Sequence, residues 1–261
     1  MVQKPTHAPF VGSHQSRTRL TPARVVSVAV MTTTAHTQNQ NHDASDGDTP
    51  GPFRSPSWPV LRRLSGGALT LGGVACIAGG TLHPIVDGEA HSVEALQAVG
   101  SPWAQILLAV GTTLLLLGLP GMYAWLAPRT GIAGLIGLVA YAVGNLVTAT
   151  GHLIVELFVA YPFANDPDKA ALIAADDSML GTTAFELLNT VGGLVMLVGM
   201  GMFGASLIRN RAVPLWIGIL TVVGMVGFML PIPAVAGISG FIYEAPRGIA
   251  IAAIGALMVR R

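Results

Sequence analysis

The chain has 261 residues, of which 52% are hydrophobic and only 10% charged, and its formal net charge is +1. Soluble domains carry charge on about a quarter of their residues, so the composition excludes an ordinary soluble fold. The near-neutral balance, with no basic patch beyond the first sixty residues, leaves no electrostatic footprint for a nucleic-acid partner. The one cysteine, Cys76, excludes an intramolecular disulfide, a Cys-based metal cluster and a dithiol redox mechanism.

Residues 1–60 are rich in Thr, His, Gln, Asn, Asp, Pro and Ser. They hold no periodic apolar pattern long enough to bury a core and are expected to form a disordered cytoplasmic tail. Val25 to Val30 is too short for a signal-peptide core. Met31 opens a Thr-rich run and is an alternative start to Met1. His7, His14, His36 and His42 stand singly and read as solvated residues.

Residues 61–261 are organised by hydropathy. A membrane helix needs about 20 apolar residues. Such runs cover Leu64–Leu82, Trp103–Leu126, Ile132–Ala160, Ala184–Ile208 and Val213–Leu230, and a sixth lies between Ile238 and Val259. The start of the sixth is blurred by Glu244, Pro246 and Arg247. Starting near Ser239 makes it long enough to cross, and then Glu244 and Arg247 stand at i,i+3 and can neutralise each other. Arg54, Arg62, Arg63, Arg129, Arg209, Arg211, Arg260 and Arg261 flank one set of ends. The alternate loops hold Asp87, Glu89, Glu94, Asp166, Asp168, Asp176 and Asp177 against Lys169 and Arg247. By the positive-inside rule the expectation is an all-α polytopic bundle of six transmembrane helices in the plasma (inner) membrane, both termini cytoplasmic. Trp103, Tyr161 and Phe163 at outer ends and Tyr123, Trp125 and Trp216 at inner ends fit interfacial anchors. Rows of small residues (Gly72, Cys76 and Gly80; Gly137, Ala140 and Gly144; Gly248 and Ala252) mark close helix contacts. Pro120 is expected to bend the second run.

Within the third run, Tyr141, Asn145, Thr148, His152 and Glu156 follow at steps of four, three, four and four, which places them on one helix face. Polar groups there should look at other helices or at water rather than at lipid. His83, His152, Asn189 and Glu186 each lie about 19 to 22 residues from the cytoplasmic end of their runs, roughly 30 Å at 1.5 Å per residue. The expected candidate pocket is therefore His83, His152, Glu156, Glu186 and Asn189 near the outer face, with Tyr141, Asn145 and Thr148 forming the stripe below. Each also has a structural reading. His83 ends a helix before Pro84, His152 and Glu156 can pair at i,i+4, Glu186 suits a helix start and Asn145 can glue helices.

The chemistry these residues allow is limited. A His-x-x-x-Glu pair with a second histidine could hold Zn or Fe, but the spacing is common and no metal ligand set is assigned. Two histidines could ligate a haem, and no cofactor is assigned either. Gly237-Ile238-Ser239-Gly240 resembles the serine motif of rhomboid proteases, yet no histidine follows Ser239, and the match is rejected. There is no phosphate-binding or dinucleotide fingerprint. Leu82-His83-Pro84 ending the first run, Trp103 opening the second, the Gly-rich bundle and the Arg-tipped loops resemble uncharacterised multi-pass integral membrane proteins of actinobacteria. The resemblance implies a plasma-membrane location and no known activity. The expected function is an outward-facing polar pocket that binds or transports a small solute with proton exchange. The alternatives are a metal- or haem-dependent membrane enzyme and a non-catalytic scaffold or accessory subunit. The expected partners are the lipid bilayer and a small solute or proton; an oligomer is left open.

Overall fold

The computed structural model describes residues 57–260, which fold as helices joined by loops, with no named strand among the described residues. The expected tail and the choice between Met1 and Met31 lie outside the described residues, apart from residues 57–60, which lead into the first helix. The helices are α1 (Trp58–Leu82), the short α2 (Val93–Gln97), α3 (Trp103–Ala164), α4 (Thr183–Arg209), α5 (Leu215–Met229) and α6 (Ile238–Arg260). Four of them, α1, α3, α4 and α6, are long and apolar enough to cross a membrane.

α3 contains 62 residues, far more than one crossing requires. Its backbone leaves helical geometry at Gly131, with φ 64° and ψ −170°, a left-handed conformation that glycine adopts without a Cβ penalty. The chain folds back there. Gln105 reaches Glu156 at 3.0 Å, and these residues stand almost equally far from Gly131 on either side. The arms 103–130 and 132–164 thus form an antiparallel hairpin that contains the second and third expected runs.

α1 packs between the first arm of α3 and α6, the second arm packs on α4, and α5 bridges α4 and α6. Between helices in lipid there is no hydrophobic driving force, so association rests on close contact. α1 accordingly buries Gly66, Gly72, Gly73, Cys76, Gly79 and Gly80. A Cβ on Gly72 would stand 2.8 Å from the Gly111 carbonyl oxygen, and one on Gly66 would stand 2.6 Å from that of Gly255. Larger residues there would push the helices apart. The opposite faces display Leu71, Leu117, Leu187, Leu194 and Val198, each more than half exposed, as a lipid-facing belt requires.

Helix ends follow local chemistry. α1 begins at Trp58, six residues before the apolar run at Leu64, because Pro59 suits the first helical turn. α5 is shorter than the expected run Val213–Leu230. Pro214 stands at its N-cap, and Pro231 and Pro233 prevent continuation beyond Leu230. Its 15 residues rise only about 22 Å, and residues 230–237 continue as non-helical chain. α6 starts at Ile238 and runs through Pro246. α3 keeps helical φ/ψ through Pro120 and Pro128.

A polar island lies at mid-height. Arg247 is 4% exposed and sits about 14 Å along α6 from its N-terminal end. It pairs with Glu244, as the i,i+3 spacing predicts, donates to Asn145 Oδ1 at 3.3 Å and lies over the Phe228 ring at 5.4 Å. Removing one partner of a buried pair leaves an uncompensated charge and costs about 3–5 kcal/mol, whereas replacing both by apolar groups is often neutral. Glu244→Leu is therefore expected to lower the thermal unfolding temperature sharply in detergent, and Glu244→Leu with Arg247→Leu to recover most of the loss. Equal losses in the single and double variants would contradict this role.

Candidate functional site

The site grows from the C-terminal end of α1. Pro84 keeps His83 out of the helix, in an extended conformation with ψ 123°, and this directs the imidazole toward α3. His83 Nε2 stands 2.9 Å from Glu156 Oε1. The same oxygen accepts from Gln105 Nε2 at 3.0 Å, and Gln105 is itself held by Ser101 Oγ at 2.8 Å. Glu156 is 0% exposed, and its Oε2 is buried without a hydrogen-bond partner. Two five-residue π turns, Leu146–Thr150 and Glu156–Ala160, flank the stretch that carries His152. Such turns widen a helix locally and recur at functional sites.

His91 completes the cluster from the loop between α1 and α2. Its Nε2 lies 3.1 Å from His152 Nε2, and its ring centroid lies 4.8 Å from that of His152 and 5.8 Å from that of His83. Two devices hold it. An apolar cap of Leu96, Ala160, Ala164, Ile173 and Met179 ties α2 and the loop before α4 to the end of α3. Asp177 then clasps the His91 backbone, its Oδ1 accepting the N–H groups of Ala90 at 2.9 Å and His91 at 2.6 Å, while its carbonyl oxygen faces His91 Nδ1 at 3.2 Å. Asp177 adopts φ 62°, a left-handed conformation with a strain cost for a residue bearing a Cβ, and it grips His91 with both side chain and main chain.

The hydrogen-bond directions give the cluster its character. A carbonyl oxygen can only accept. Pro84 O, 3.1 Å from His83 Nδ1, and Asp177 O therefore fix the proton of each ring on Nδ1. In a neutral ring this leaves Nε2 with a lone pair. The Nε2 lone pair of His83 then faces a carboxylate oxygen, and that of His91 faces His152. The wall holds more acceptors than protons, and it asks for positive charge between them. Ligand atoms of His83, His91 and Glu156 all lie within 4.8 Å of one another. His152 Nε2 is 3.9 Å from Glu156 Oε2. The wall opens on a cavity of about 340 Å³ whose far side carries Phe228, Ile232, Tyr243 and Glu244.

Burial opposes charge on His91, but the Asp177 hydrogen bonds and the nearby Glu156 carboxylate outweigh it and raise its pKa above the ordinary imidazole value. Burial likewise opposes charge on Asp177, and the hydrogen bonds from His91 outweigh it and hold the carboxyl below its ordinary range. The raised His91 value means that its contribution is full below the unfolded value of 6.5 and is lost as pH rises through the native one. The lowered Asp177 value means that its contribution is present above 3.8 and is lost only as pH falls through a still lower native value. In chelator-treated protein, amide protection factors over residues 86–92 are expected to be higher near pH 6 than near pH 8.5, and Asp177→Asn is expected to abolish the difference. A pH-independent clasp would contradict this assignment.

The expected residues divide. His83, His152 and Glu156 line the cavity. Tyr141 and Asn145 are buried lower down, Asn145 at the Arg247 island. Thr148 is spent on α4, donating to Asn189 O at 3.1 Å. Asn189 stays at that helix contact, its Oδ1 buried without a partner, and does not line the cavity. Glu186 does not join the cluster either. It is exposed in the first turn of α4, because the neighbouring Phe185 takes the side facing His152, with ring centroids 6.3 Å apart, and a helix turns the next residue about 100° away. His91, Asp177 and Gln105 were not among the expected residues. Ser239, in the rejected serine motif, donates to Val235 O at 2.9 Å and accepts from Val235 N at 3.1 Å, which secures the start of α6. In comparisons with protein-family models, curated proteins and solved structures, nothing matches this chain.

Proposed function

We propose that the chain is an integral plasma-membrane protein that crosses the bilayer six times with both termini inside, and that its outward-facing pocket binds a small cationic solute, releasing protons as it does so. The six-span reading is supported by the hairpin at Gly131, which supplies two crossings from α3, and by residues 230–237, which extend the short α5. Non-helical chain near membrane depth is tolerated where it lines a cavity, and Ile232 and Ala234 do so. The sidedness reading is supported by charge. Arg129 and Arg209 lie at the end where Ser206 Oγ donates to Thr130 O at 2.7 Å, while Asp177 lies with the histidines at the other.

The observation that carries the functional reading is the 2.9 Å contact between His83 Nε2 and Glu156 Oε1, with His83 Nδ1 already committed to Pro84 O. A proton or another cation has to stand between them. A cationic solute entering the cavity competes for that place, and Glu244 and Tyr243 across the cavity add further acceptors. Proton competition makes binding weaker in acid.

Two measurements test this reading. With Cys76→Ser as background, cysteine at Ser178 is expected to react with a membrane-impermeant maleimide in whole cells, and cysteine at Asn210 only after lysis; the reverse pattern overturns the topology. Purified full-length protein is expected to show saturable thermal stabilisation by at least one of methylammonium, guanidinium and zinc chloride, weakening between about pH 8 and pH 5.5 and lost in Glu156→Gln. No response to any of the three, or a response unchanged in Glu156→Gln, overturns the pocket.

A further inference from the structure

Resting on the cation-binding reading, we propose that the wall of the cavity is a divalent metal site, with His83 Nε2, His91 Nε2 and Glu156 as ligands and His152 at the fourth position, and that zinc is the ion its chemistry fits best. Three imidazoles and one carboxylate form a donor set that suits zinc and its transition-metal neighbours and has no thiolate or all-oxygen character. Four ligands around zinc at about 2.0–2.1 Å stand roughly 3.3 Å from one another. The His83–Glu156 and His91–His152 contacts, at 2.9 and 3.1 Å, lie close to that spacing, and the ligand atoms of His83, His91 and Glu156 all lie within 4.8 Å of one another.

The surroundings match what a metal demands. Ligating histidines usually donate their other ring N–H to a carbonyl or carboxylate, which fixes the tautomer and leaves the lone pair for the ion. His83 does so to Pro84 O and His91 to Asp177 O, at 3.1 and 3.2 Å. A ligating carboxylate is itself hydrogen-bonded, and Gln105 does this for Glu156. The remaining carboxylate oxygen, Oε2, is fully buried, faces His152 at 3.9 Å and has no hydrogen-bond partner. That unpartnered oxygen points to a ligand independently of the histidine cluster. The cavity of about 340 Å³ beside these atoms leaves room for a further ligand from a bound molecule.

The test uses full-length protein purified without a polyhistidine tag, with His7, His14, His36 and His42 all replaced by Ala so that the tail cannot contribute. After chelation it is titrated with Co(II) and then Zn(II). One Co(II) per chain is expected, with the strong visible bands of a four-coordinate ion, displaced by one Zn(II). His91→Ala and Glu156→Gln are each expected to weaken binding by roughly 100-fold or more, and Asp177→Ala, acting through His91, by about 10-fold. Substoichiometric Co(II), or binding that these variants leave unchanged, overturns the proposal. If Glu156→Gln does not fold, His91→Ala, in a loop, decides. Should methylammonium or guanidinium stabilise the protein in a Glu156-dependent way while Co(II) and Zn(II) do not bind, the metal site fails and the cation pocket stands. If none of the four binds, both fail.

Discussion

A carboxylate withdrawn from water into a helix bundle has to be met by hydrogen bonds and positive charge, because solvation no longer supplies them. Glu156 is such a group, and the architecture converges on it. The Gly131 turn brings Gln105 from the other arm of α3. Pro84 stops α1 at the residue that places His83 against the carboxylate. The π turns set His152 beside it, and the α2 cap with the Asp177 clasp lowers His91 onto His152. Four segments separated in sequence each contribute a hydrogen-bonding group to one small volume. Close glycine contacts between α1, the first arm of α3 and α6 hold these supports near enough to meet.

The bundle contains a second buried charge system, and the two differ in kind. Arg247, Glu244 and Asn145 sit deeper, and Arg247 and Glu244 neutralise each other. The cluster at the C-terminal end of α1 has one carboxylate and three imidazoles, two of which, His83 and His91, have tautomers set by backbone carbonyls, so its charge depends on what occupies it. Glu244 belongs to both regions, pairing with Arg247 and facing the cavity. On the proposed reading, the deeper island has a structural task and the histidine cluster a binding task.

Much of the fold was legible because the sequence changes character sharply at helix ends. Gly131, Pro214, Pro231 and Pro233 punctuate the apolar runs where the chain turns or leaves helical geometry. The step pattern from Tyr141 to Glu156 revealed the inward face of the second α3 arm, and counting residues placed His83 and His152 at one height. Height does not determine direction. Glu186 has a suitable height but turns outward, while Phe185 faces His152. His91 escaped because a loop residue has no periodicity, and its position depends on Asp177, 86 residues away in sequence. Gln105 looked like an ordinary polar residue early in an apolar helix, and only the hairpin gave it a partner.

The central claim is that Glu156 is an ionised carboxylate matched by a cation. Infrared difference spectroscopy reads this directly in metal-free full-length protein at neutral pH, comparing the native chain with Glu156→Gln. The account expects the substitution to remove carboxylate stretching bands and no protonated-carboxyl band. A protonated-carboxyl band that disappears with Glu156 would mean that the buried acid is neutral and carries its own proton to His83. The wall would then need no cation, and the account would be contradicted.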